Sequence, residues 1–340
     1  MNEDEFHAWR NPRVGDANPT VLTNPWWVWL IHNRLNAYQA NELWKGPSSF
    51  SAGPVWCFDR FGQTATTLPD GRVVYVAGEH EDYYDPDFHI YNDVVITQPN
   101  GECVILGYPT AVFPPTDFHT ATLVGNRIIL IGCLGYSNDR RPGETQVLEL
   151  SLDTFEVRKI VTQGDCPGWI NRHAATLSSS GHAIVITDGG VLRDADQDMW
   201  DNVEEWLLDI DTWAWNRQTH RNWRQWRLMH VDRLRNQLRE MRQAIWHRKV
   251  GWKDEFVQDM AGFRETMGFE PDLDLIPALY RLDEHTEELP DEEDEYNVIR
   301  VRIDGVTMKF IEDGFSIHAV VQGELEEAKV AALQQSLLEE

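Results

Sequence analysis

The feature that most constrains this chain is a repeat. Residues 60–78, 117–132 and 172–190 begin alike: a short polar–apolar strand, a turn containing Gly, then a β-branched run ending in Gly. Aligning Gln63, His119 and His173 gives spacings of 56 and 54 residues. Each copy therefore opens as a β-hairpin. Two more strand-like stretches follow in each copy, at 91–98 and 102–108, within 145–161, and within 202–218. In the last two copies the fourth strand is preceded by matching turns that put Phe155 and Trp213 in equivalent places. The unit is four antiparallel strands in about 55 residues, too small to bury its apolar faces alone, so copies must stack.

These residues resemble the kelch repeat. The resemblance rests on His-Thr-Ala or His-Ala-Ala at the strand start and on the glycines that end the second strand. It rests also on the aromatic pair Trp206 and Trp213, with six residues between them. It covers residues 56–219, and the chain is similar to bacterial kelch-like proteins. Only the third copy has the full Gly189-Gly190 pair; the others have Ala77-Gly78 and Ile131-Gly132. The resemblance implies a mainly β fold, a kelch-like β-propeller of four-stranded blades, three of them clear. Propellers close with four to eight blades. Either residues 20–59 supply a degenerate fourth, or other segments cover the open faces, as exposed strand edges demand. The cluster Trp26, Trp27, Trp29, Trp44 and Trp56 marks the N-terminal segment for that role.

The pattern changes after residue 220. Apolar residues at Val231, Leu234, Leu238, Met241 and Ile245 recur in steps of three and four, which predicts a basic helix over 217–249. A second helix is expected over 253–267, stopped near Gly268 and Pro271. Residues 283–295 carry nine acids in thirteen positions and read as a solvated loop. Three strands with turns at Asp304-Gly305 and Asp313-Gly314 follow within 298–325, then an amphipathic helix over 324–339. The expected organisation is a propeller with its Trp-rich segment (1–220), a helical segment (221–270) and a small α+β unit (271–340).

Charge bounds the function. The chain has 56 acids against 30 bases, a net charge of −26. Residues 217–249 alone carry +8, leaving −34 elsewhere. Nucleic acids and anionic membranes need a basic footprint, so the balance argues against both as general partners. With 42% hydrophobic residues and 15 Trp, the chain is not a disordered polyanion. Cys57, Cys103, Cys133 and Cys166 lack zinc spacing, and the charged N-terminus lacks a signal-peptide core, so a cytoplasmic location is expected. No Cys has a base partner legible in the sequence, and no nucleotide-binding Gly-rich loop occurs.

Two acidic stretches are the candidate sites. Residues 78–93 hold Glu79, Glu81, Asp82, Asp85, Asp87 and Asp93 with His80 and His89. Within them Glu81, Asp85 and His89 are spaced like the iron-binding motif of plant kelch specifier proteins, and carboxylate–imidazole sets suit Fe, Mn or Zn. Residues 194–205 place Asp194, Asp196, Asp198 and Glu205 at calcium-loop positions, but Met199 stands where that loop needs Gly. His119 and His173 read as inter-blade hydrogen-bonding groups. The basic segment reads as an intramolecular clamp facing the acidic propeller or the 283–295 run. A single-strand site using Arg221, Arg224, Arg227, Trp223 and Trp226 is the sharper alternative. The expected function is non-catalytic: acidic propeller loops that bind a basic protein partner, as an inhibitor or immunity-type protein would, with no cofactor. The alternative is a metal-dependent enzyme at Glu81, Asp85 and His89.

Overall fold

The computed structural model describes residues 2–47, 53–80, 88–193, 199–229, 232, 234–290 and 297–338. The fold is mainly β, with several antiparallel sheets and a few helices. The chain divides into two compact units, residues 1–220 and 221–340.

Among the described residues, the first unit begins with three helices and a short strand: α1 (Glu3–Trp9), β1 (Thr20–Val21), α2 (Pro25–Asn33) and α3 (Ala37–Leu43). Asn2, Asn24 and Asn36 each cap a helix, accepting from backbone N–H groups that would otherwise lack partners. Residues 20–59 are thus not a degenerate fourth blade; among the described residues they add helices and one two-residue strand. The apolar face of α2 explains why. Trp26, Trp27, Leu30 and Ile31 pack with Phe6 and Trp56 against Tyr75, Val95 and Ile105 of the first repeat. The Trp-rich segment covers a sheet face, as its composition suggested.

Each repeat then forms one antiparallel meander. The first is β2 (Thr64–Thr67), β3 (Val73–Val76), β6 (Asp93–Thr97) and β7 (Cys103–Gly107); between β3 and β6 stands a ribbon, β4 (Glu79–His80) with β5 (His89–Ile90). The second is β8 (Thr120–Val124), β9 (Arg127–Ile131), β10 (Val147–Ser151) and β11 (Val157–Lys159). The third is β13 (Ala174–Leu177), β14 (Ala183–Thr187), β17 (Trp206–Asp209) and β18 (Ala214–Arg217). Beside it lies a three-stranded ribbon of β12 (Trp169–Asn171), β15 (Gly190–Leu192) and β16 (Met199–Asp201).

The meanders stack face to face through aliphatic layers. Val74, Val76, Val94 and Ile96 of the first meet Ile128, Leu130, Leu148 and Leu150 of the second. Ile129, Ile131 and Val147 of the second meet Ile184, Ile186, Trp206 and Leu208 of the third. The outer strand edges are occupied. β1 pairs with β7, the Asn18 side chain exchanges two hydrogen bonds with the Val157 backbone on β11 (2.8 and 2.9 Å), and Gln163 bridges to β18. A paired edge cannot template another chain.

In the second unit, β19 (Gln225–Met229) is followed by α4 (Gln237–Val250), α5 (Lys253–Met267), β20 (Glu287–Glu288), β21 (Val298–Ile303), β22 (Val306–Glu312), β23 (Ser316–Gln322) and α6 (Glu327–Leu338). The sheet order is β19-β23-β22-β21-β20, so the start and end of this unit share one sheet. The helix expected upstream of 249 begins only at Gln237, behind the cap Asn236. Residues 225–229 form a strand instead, because Trp226 and Leu228 alternate with Gln225 and Arg227 and can bury one face on the core around Phe310.

Candidate functional site

The seams between meanders set the geometry. Gly62, Phe118 and Arg172 stand just before the first-strand starts and share a left-handed backbone, at φ 62°, 46° and 52°. Their amides chain the repeats together: Phe118 N–H donates to Gly62 O at 3.0 Å and Arg172 N–H to Phe118 O at 2.9 Å. Beside each link a side-chain pair crosses the seam, Thr64 Oγ1 with His119 Nε2 and Thr120 Oγ1 with His173 Nε2, both 2.9 Å. The starts of β2, β8 and β13 are therefore held side by side. In an antiparallel meander the second strand ends where the first begins. All three second-to-third-strand connections accordingly leave from the same end of the stack. The acidic stretches belong to two of those connections.

At the first of these corners lies a buried polar cluster. Cys57 Sγ is 2.9 Å from His80 Nδ1 and 3.8 Å from Tyr91 OH. The Arg60 guanidinium lies over the Tyr91 ring at 3.4 Å and pairs with both carboxylate oxygens of Asp93. Asp93 also accepts from Trp56 Nε1 at 2.8 Å. Burial, then the Arg60 charge, depresses His80 to about 3 and His89 to about 4, so both imidazoles are neutral at pH 7. A thiol 2.9 Å from an imidazole is the spacing of a nucleophile and its base. Here Cys57 and His80 are each only 2% exposed, and the pair serves as a packed hydrogen bond. The sequence hid this pairing, since 23 residues separate the two and only the β4–β5 ribbon brings His80 onto the N-terminal segment.

The second corner is built on Asp117, which is fully buried. Its carboxylate accepts from Gly135 N–H at 2.7 Å and from the Cys133 thiol at 3.3 Å. Burial and that carboxylate push the Cys133 thiol well up, so it stays protonated. The third corner carries the β12–β15–β16 ribbon, where Trp169 and Leu192 pack on Cys133.

Of the predicted site residues, Glu79 and His89 stand on the β4–β5 ribbon, both half-buried. Glu81, Asp82, Asp85, Asp87, Asp194, Asp196 and Asp198 lie outside the described residues. Among the described residues, no three His, Cys, Asp or Glu side chains converge as a metal-binding group. His119 and His173 lie at the seams, bonded to threonines of the preceding repeat. In the basic segment, Arg217 pairs with Glu204 of the third repeat, and Arg235, Arg242, Arg248 and Arg224 pair with Glu240, Glu312, Asp274 and Glu327; residues 291–295 of the acidic run lie outside the described residues. Trp226 packs on Phe310, so its face is committed to the core rather than to base stacking. No helix among the described residues is long and apolar enough to cross a membrane.

No protein family matches the chain, and no curated protein does. A solved structure of a fungal alcohol oxidase of the AA5 family, in complex with copper, is similar at 15% identity with a TM-score of 0.32. The similarity covers 48% of this chain and 44% of that one, so it spans less than half the length of the oxidase chain.

Proposed function

We propose that this chain is a non-catalytic interaction protein: a kelch-like, propeller-type array whose acidic connections bind a basic protein partner. The observation that carries the reading is the alignment of the seams. The stretches holding Glu81, Asp82, Asp85 and Asp87, and Asp194, Asp196 and Asp198, join strands that leave one end of the stack. Residues 1–220 hold 30 acids against 14 bases, so the approach of a cation to that end is favourable well before contact. The buried thiol–imidazole pair supports the non-catalytic side of the reading, because it lacks solvent access for a substrate.

The test is titration with a lysine-rich peptide and, as control, a glutamate-rich one. Wild-type protein is expected to bind the first with an affinity that falls steeply between 50 and 300 mM salt, and to ignore the second. Changing the seven acids at 81, 82, 85, 87, 194, 196 and 198 to their amides should weaken binding by about 10-fold or more. Unchanged affinity in that variant, or binding indifferent to salt, would refute the proposal.

A further inference from the structure

We propose that the two seams of the first unit are acid-sensitive joints: His119 and His173 hold successive meanders together only while uncharged. The geometry leaves no place for a second proton. Each imidazole uses Nε2 on one threonine hydroxyl, and each Nδ1 is buried without a hydrogen-bond partner. An imidazolium needs acceptors for two N–H groups, and a charged group stranded in such a site is costly. The ring of His173 also has little slack. A Cβ on Gly132 would lie 2.7 Å from its Cε1, so only glycine admits the ring, and the contact leaves scant room for water.

The charged neighbours do not help. His173 opposes the protonation of His119, as a like charge once both are protonated. The Asp117 carboxylate accepts from Gly135 N–H and the Cys133 thiol through Oδ1 alone; its buried Oδ2 has no hydrogen-bond partner, yet neither imidazole is bonded to it, and the Arg172 guanidinium sits over the Phe118 ring at 3.8 Å. Thr64 and Thr120, from the preceding strands, are neutral. Burial accordingly depresses His119 to about 3 and His173 to about 4. Folded values below the ordinary 6.5 mean that the unfolded chain binds the protons. The stabilisation is complete above pH 6.5 and is lost progressively as pH falls toward 4.

The repeat itself marks the pair as a joint device. The position equivalent to the two histidines in the first repeat is Gln63, which has no preceding meander to meet. The position equivalent to Thr64 and Thr120 in the third repeat is Ala174, which has no following one among the three. Thr and His occur together only where two meanders join.

The experiment uses the full chain and the variant His119→Gln/His173→Gln, in which each amide can still bond the threonine but cannot take a proton. Protection factors of the Phe118 and Arg172 amides, which cross the seams, are measured at pH 6.5 and 5. His80 and His89 contribute to the acid loss in both proteins, so the decisive quantity is the difference. The variant should lose on the order of 100-fold less protection than wild type over that interval. In wild type, the Cε1 proton resonances of His119 and His173 should not titrate between pH 7.5 and 5. An equal loss of protection in both proteins, or a midpoint near 6.5 for either imidazole in the folded protein, would overturn the proposal. If the double variant does not fold, the wild-type resonances decide it alone.

Discussion

Arg60 shows what a single residue does in this fold. Its side chain is 0% exposed, yet its guanidinium is engaged by Asp93, Cys57 O and Ala77 O and lies over the rings of Tyr91 and Trp56. The residue thereby ties the 53–62 segment to the first meander. A buried ion pair of this kind adds little net stability over an apolar filling, but breaking it strands a charge. Asp93→Ala is therefore expected to destabilise the first unit by about 3–5 kcal/mol, read from urea unfolding. A loss under 1 kcal/mol would show that water reaches Arg60. The sequence identified Asp93 only as one acid in an acidic stretch, because nothing local distinguishes a buried carboxylate from a solvated one. Its partner lies 33 residues away and comes into reach only when the N-terminal segment folds onto the sheet.

At the scale of elements, legibility followed the strength of the local pattern. The β-branched runs at 73–76, 128–131 and 183–186 are strands, and the helix expected over 253–267 spans those residues and stops at Gly268. The turns at Asp304-Gly305 and Asp313-Gly314 separate the last three strands. The stretch 225–229 departs from the expected helix because its few apolar residues fit a helical period and an alternating one equally; pairing with β23 decides it. Edge protection was likewise invisible. Asn18 is an ordinary loop residue in sequence, yet its amide imitates a neighbouring strand for Val157. Asn18→Ala removes both bonds and is expected to cost about 1–3 kcal/mol. It should also increase concentration-dependent association, measured by light scattering, because the edge of β11 becomes available for pairing.

For the molecule as a whole, the N-terminal helices act as the cover of the stack. They bury Trp26, Trp27 and Trp56 on the face of the first meander that no other repeat meets. Deleting residues 2–47 would expose Tyr75, Val95 and Ile105 to water. The shortened chain is expected to aggregate, eluting in the void volume on size exclusion where the full chain does not. A well-behaved truncated protein would show that the three meanders are self-sufficient. The sequence by itself determined the repeat, its four strands and the uneven charge, because these are local patterns with a period or a count. The tertiary structure decided which face each repeat buries, which histidines become neutral seam groups, and how the Arg60–Asp93 and Cys57–His80 pairs form. Those outcomes depend on burial and on partners tens of residues distant, and neither is encoded in the spacing of neighbours along the chain.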